Sequence, residues 1–232
     1  MNSMPAPSIN RSRSAFHREL GRLQDEVLVL GSMVEKATLR SIDALRTRNV
    51  AAARAIEAED ALLNRKRFDI EEAVLLLIAT QQPMASDLRQ LAAILHIVTD
   101  LERMGDYAAG IARITVRIGD EPLIKPLIDI PRMAEKSTSM LRRALDAFID
   151  RDVPAAEQIA AEDDEVDALY QQVYRELLTI MLANPRTIDQ ATHLLWVAHN
   201  LERVADRVQN ICERVVFVVT GRMQELSHDI AS

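Results

Sequence analysis

An all-α fold of two tandem, pseudo-repeated three-helix bundles with long antiparallel helices is predicted by three observations. Apolar residues recur at three- and four-residue steps, as in Leu20, Leu23, Val27, Leu30, Val34 and Ala37, which marks one face of a helix. Hydrophobic residues make up 48% of the 232, yet aromatics are only 3% and Gly only 6 residues. A core of Leu, Ile, Val and Ala with few tight-turn residues suits packed helices. Finally, the order helix, helix, proline break, helix occurs twice, and Ala58-Glu59-Asp60 returns as Ala161-Glu162-Asp163.

Residues 1–14, MNSMPAPSINRSRS, are polar and rich in Ser and Pro, and read as a mobile tail. The first bundle is expected over residues 15–118. Its first helix fades near Thr47–Val50. A second runs from about Ala51 to Thr80, where Pro83 interrupts the backbone ladder. A third, capped by Ser86 or a neighbour, reaches Ile118. Residues 119–131, GDEPLIKPLIDIP, hold three prolines and a glycine and form the linker. The second bundle then occupies residues 132–232. One helix spans about Arg132 to Asp150, a second opens at Asp152-Pro154 and ends near Ala183. Asn184-Pro185 breaks the chain before a last helix from about Thr187. Each long helix has about 30 residues, or roughly 45 Å. VVFVVT, residues 215–220, continues the spacing of the helix before it and is read as helix.

The net charge of -7 argues against a general nucleic-acid surface. A single cysteine, Cys212, allows no internal disulfide and favours a reducing compartment. No N-terminal stretch has the layout of a signal peptide, and the apolar runs fall short of the roughly 20 residues that span a bilayer. A cytoplasmic protein is expected, one that meets the membrane only through partners.

One phrase carries chemistry. DLERMGDYAAGIARI, residues 100–114, returns as NLERVADRVQNICER, residues 200–214. Leu101, Met104, Ala108, Ile111, Thr115 and Ile118 share one stripe, and Leu201, Val204, Val208, Ile211, Val215 and Val218 share its counterpart. Glu102 and Asp106, like Glu202, Asp206 and Asn210, point well away from these stripes. Like charges four apart destabilise a helix by roughly 0.2–0.5 kcal/mol, and the chain makes that choice twice. The preceding helices offer Asp60 with Asn64 and Asp163 with Asp167 at the same spacing. If neighbouring helices bring these together, each bundle presents about four oxygen ligands that suit Mg, Mn, Ca or Fe.

An oxidising di-iron bundle would need paired Glu-x-x-His motifs. One such spacing occurs, Glu225-x-x-His228, near the C-terminus. The five histidines do not repeat with the acids, and His96 and His193 are read as packing residues. No phosphate-cradling glycine loop, nucleophile elbow or Cys-x-x-Cys is present. No catalytic residues are assigned and no enzyme is expected; a carboxylate-metal enzyme in a helical bundle is the alternative.

PMASDLRQLAAILHIVTDLERMGDYAAGIA (residues 83–112) and NLERVADRVQNICERVVFVVTG (residues 200–221) resemble the two signature helices of the PhoU family of phosphate-transport accessory proteins. FHRELGRLQDEVLVLGSMVEKA (residues 16–37) and the phrases at residues 58–64 and 161–167 are also similar to it, so the resemblance covers about residues 15–225. It implies two three-helix bundles, a homodimer, and metal ions (Fe, Mn, Mg or Zn) on the acidic patches. It also implies a negative regulator of phosphate uptake and of the phosphate-starvation response. Such a regulator links the ATPase of a phosphate ABC transporter to a membrane sensor histidine kinase. Carried over by position, the metal candidates are Asp60, Asn64, Glu102 and Asp106, then Asp163, Asp167, Glu202, Asp206 and Asn210. Gly110 stands where Asn210 does in the other copy, and Asn64 is neutral where Asp167 is charged. The second patch is therefore expected to hold a cation more tightly.

Overall fold

The computed structural model describes the backbone of residues 8–226 and the side chains of residues 13–226. The described residues form seven α-helices: α1 (Ser8–Thr47), α2 (Val50–Gln81), α3 (Ala85–Ile118), α4 (Asp129–Asp150), α5 (Val153–Ala161), α6 (Asp163–Ala183) and α7 (Ile188–Thr220). Helices α1–α3 form one bundle and α4–α7 the other. The bundles lie side by side, with α3 packed along α7 and α1 against α4. Every residue of the two expected stripes, from Leu101 to Ile118 and from Leu201 to Val218, is buried. These stripes meet in one apolar core that runs through both bundles, so the halves are not independent globules.

The repeat is visible in the backbone as well as in the sequence. Helices α1 and α4 both end on an arginine in the left-handed region, Arg48 at φ 56 and Arg151 at φ 57. The next residue then reaches back to the helix: Asn49 N–H donates to Ala44 O at 2.8 Å, and Asp152 N–H to Ala147 O at 2.9 Å. The same Asn49 and Asp152 cap the following helices, accepting from Ala52 N–H at 2.9 Å and Ala155 N–H at 3.0 Å. A side-chain acceptor at this position satisfies one of the free N–H groups of the first turn. Two pairs at matching positions, Arg40 with Glu59 and Arg143 with Glu162, tie α1 to α2 and α4 to the junction of α5 and α6.

Four boundaries differ from the sequence expectation. Helix α1 opens at Ser8, so residues 8–14 are not tail; after Pro7 no Pro or Gly occurs before Gly21. Residues 1–7 and 227–232, including His228, lie outside the described residues. Helix α4 opens at Asp129, three residues before the expected start, because Pro131 sits in its first turn, where a missing N–H costs nothing. Helix α3 starts after Met84 without a side-chain cap, so Ser86 does not serve as one. The expected helix over 152–183 is two helices, α5 and α6, interrupted at Glu162. Its carboxylate is held by both Arg143 and Lys136 of α4. The connection after α3 is anchored rather than free. Ile124 N–H donates to Gln190 Oε1 at 2.6 Å, and Gln190 Nε2 donates to Pro122 O at 3.0 Å.

Candidate metal centres

Helices α2 and α3 bring Asp60, Glu102 and Asp106 together, and helices α6 and α7 bring Asp163, Asp167, Glu202 and Asp206 together. The physical sign of this assembly is mutual repulsion. Burial raises Asp60, and the Asp106 charge adds to it. Burial raises Glu102 too, again with Asp106 adding, while Arg67 and Arg103 oppose. In the second patch, burial and then the charges of Asp167, Asp206 and Glu202 push Asp163 up to about 7. Burial, Asp206 and Asp167 push Glu202 to about 7, against the smaller pull of Arg203. Asp167 is raised by burial and by Asp206. Burial raises these carboxyls first, by stripping water from the charged form, and crowding adds to it because each resists a second negative charge nearby.

The acids are more buried than their position off the stripes suggests. Asp163 is only 6% exposed. One oxygen of each of four acids is buried without any hydrogen-bond partner: Asp60 Oδ1 and Glu102 Oε2, and Asp163 Oδ1 and Glu202 Oε2. These are the same two positions in each copy. A buried carboxylate oxygen without a partner is costly, and a cation there would offset that cost. Hard oxygen donors on two adjacent helices suit Mg, Mn, Ca or Fe, so the residues fit the implied metal. Among the described residues, no three His, Cys, Asp or Glu side chains close on a single coordination point. Ligation would therefore require the carboxylates to rotate inward.

Two of the expected ligands spend their amide N–H groups on hydrogen bonds. The Asn64 Nδ2 donates to Asp60 at 3.2 Å (Oδ2) and 3.3 Å (O), so Asn64 steadies Asp60 with its nitrogen side. Asn210 does not face the second patch with its amide nitrogen. It donates to Asp100 Oδ1 of α3 at 3.2 Å, next to Arg207, which lies 3.3 Å from the same oxygen. Its place is the contact between the bundles. Arg203 lies 3.0 Å from Asp206, and Arg103 3.6 Å from Asp106, consistent with charge balance. Cys212 is fully buried, and burial raises its thiol to about 12, so it stays protonated. His96 is exposed and His193 half-buried.

Three neighbours were given no role in the sequence reading. Gly105 lets α2 approach α3: a Cβ there would stand 2.8 Å from Leu63 Cδ1 and 3.6 Å from Asp60 Oδ1. Tyr170 stands near Glu202, whose charge raises it after the larger effect of burial. His199 Nδ1 lies 3.2 Å from Glu202 Oε2, without the alignment of a hydrogen bond. Only the spacing His199-x-x-Glu202 advertised it, the reverse of the Glu-x-x-His order that di-iron bundles use.

The PhoU domain pattern matches residues 27–115 and again 130–215, one match in each bundle. The chain belongs to the PhoU family. Among its relatives is the phosphate-specific transport system accessory protein PhoU homolog of Clostridium acetobutylicum. It is 36% identical over 217 residues, covering 93% of this chain and 99% of that protein. The Caulobacter vibrioides protein of the same description is 38% identical over 208 residues, covering 89% and 90%. The fold matches crystal structures of PhoU from Pseudomonas aeruginosa (TM-score 0.84, 32% identity, 89% of this chain and 100% of that one). It also matches the phosphate transport system regulatory protein PhoU from Streptococcus pneumoniae (TM-score 0.85, 32% identity, 90% and 99%). Like these proteins, it is a helical-bundle member of a phosphate-transport family. Among the described residues, no helix is long and apolar enough to cross a membrane.

Proposed function

We propose that this PhoU-family protein is a metal-binding regulatory adaptor that restrains phosphate uptake and the phosphate-starvation response. In this reading it works in the cytoplasm as a homodimer. It bridges the ATPase subunit of a phosphate ABC transporter and a membrane sensor histidine kinase, reaching the membrane only through them. The observation that carries the metal part is the duplicated pair of buried, unpartnered carboxylate oxygens, Asp60 with Glu102 and Asp163 with Glu202. A bound cation neutralises the crowded acids and cross-links α2 to α3 and α6 to α7. The regulatory part is supported by relatives described as accessory proteins of a phosphate-specific transport system. Those descriptions also favour an adaptor over an enzyme.

A pull-down from membranes of phosphate-replete cells tests the adaptor role. The full chain is expected to recover both the transporter ATPase and the sensor kinase. Recovery of neither would rule the adaptor reading out.

A further inference from the structure

The second patch differs from the first in one ligand type. On α7, His199 sits three residues before Glu202 and so on nearly the same helix face. Its Nδ1 is 3.2 Å from Glu202 Oε2, an oxygen that is buried and accepts no hydrogen bond. The imidazole is flanked by the rings of Tyr170 on α6, at 6.2 Å, and Trp196, at 5.7 Å between centroids. Two ligands bound to one ion at about 2.0–2.2 Å stand roughly 3 Å apart, which is the spacing seen. Asp163, 6% exposed and with Oδ1 unpartnered, marks the same patch as a site built for a ligand. The first patch has no such nitrogen. Thr99 holds the place of His199, and its hydroxyl donates to Leu95 O at 2.9 Å, back into its own helix.

We infer that His199 supplies an imidazole nitrogen to the second centre, so that the two centres of this chain take different classes of metal. The first, all oxygen, suits a hard cation such as Mg; the second, oxygen plus one neutral imidazole, suits a borderline ion such as Zn or Fe. Ligation uses the lone pair of Nδ1, and any proton it carries leaves to solvent. This inference rests on the metal reading above.

The test uses the full chain, freed of metal, with Glu102→Ala and Asp106→Ala to silence the first patch. Mn2+ is the probe for pulsed electron paramagnetic resonance, and Zn2+ and Mg2+ are compared by titration. A coupling to a directly bound 14N nucleus is expected, and it is lost in His199→Gln. The same change should weaken Zn2+ by about tenfold or more while moving Mg2+ far less. The helical circular dichroism signal reports that the variant is folded. If Mn2+ binds without a nitrogen coupling, or His199→Gln leaves the Zn2+ preference intact, His199 is an ion-pair partner and the inference is overturned while the metal reading stands. If the second patch binds none of the three ions with its carboxylates intact, the metal reading itself fails and takes this inference with it.

Discussion

Where the first acidic patch has Arg67, the second has Tyr170, and where the first has Arg113, the second has Glu213. The Arg67 charge pulls Glu102 down, and the Arg113 charge pulls Asp60 down. In the second patch only Arg203 opposes the rise of Glu202, and Asp163 feels four acids with no opposing cation among its main influences. Asn64 donates to Asp60, whereas its counterpart Asp167 is another acid that repels Asp163. The motif is duplicated, but its surroundings are not. The first patch carries part of its counter-charge in side chains. The second leaves that charge to whatever binds, or to protons.

The largest consequence falls on stability. Asp163 and Glu202 titrate at about 7 in the folded chain, against roughly 4 for free carboxyls. Between those values the folded state holds more protons than the unfolded state. The share of metal-free stability that these two groups contribute is therefore fullest below about pH 4 and is lost as pH rises through 7. Asp163→Asn should remove much of this slope and add on the order of 1–3 kcal/mol at pH 8. Asp60→Asn in the first patch should add less. Urea unfolding with chelator at pH 5 and pH 8 reads this directly. A larger gain from Asp60→Asn would invert the contrast between the patches. Since bound metal displaces the same protons, affinity at the second patch should fall steeply below pH 7.

A charge swap sharpens the comparison. Tyr170→Arg gives the second patch the cation that the first one has, and Arg67→Tyr takes it away from the first. An opposite charge nearby favours the ionised carboxylate and competes with the metal. Mn2+ affinity should drop about tenfold in Tyr170→Arg and rise by a similar factor in Arg67→Tyr, as measured by calorimetric titration. Unchanged affinities in both variants would show that neighbouring charge does not separate the patches.

The helices were legible because a 3.6-residue period survives in any sequence that buries one face: all twelve stripe residues are buried. The pairing of Asp60 with Glu102 and of Asp163 with Glu202 was offered by their matching four-residue spacing on successive helices and by the family resemblance. Other features depend on partners that spacing cannot name. The interruption at Glu162 has no Gly or Pro beside it; Arg143 and Lys136 arrive from another helix. The burial of Asp163 likewise depends on neighbouring helices. His199 was visible as a spacing, but its contact with Glu202 depends on rotamers held between Tyr170 and Trp196.

The smallest expected effect concerns the departure that looked most telling in the sequence, Gly110 where the other copy has Asn210. Helices α3 and α7 cross so that Asn210 meets Asp100. The reciprocal contact in the repeat pairs position 110 with Asn200, and a Cβ on Gly110 would stand 3.1 Å from Asn200 Nδ2. That gap is tight enough that Asn200 must shift for any side chain at 110. The glycine thus belongs to the packing of one bundle on the other. Gly110→Asn should change first-patch Mn2+ affinity by less than about twofold, as expected for a site that does not share its partners. A tenfold gain in that titration would return position 110 to the ligand set. The difference between the patches would then lie in the number of oxygens, and not in Arg67 and Arg113 against Tyr170 and Glu213.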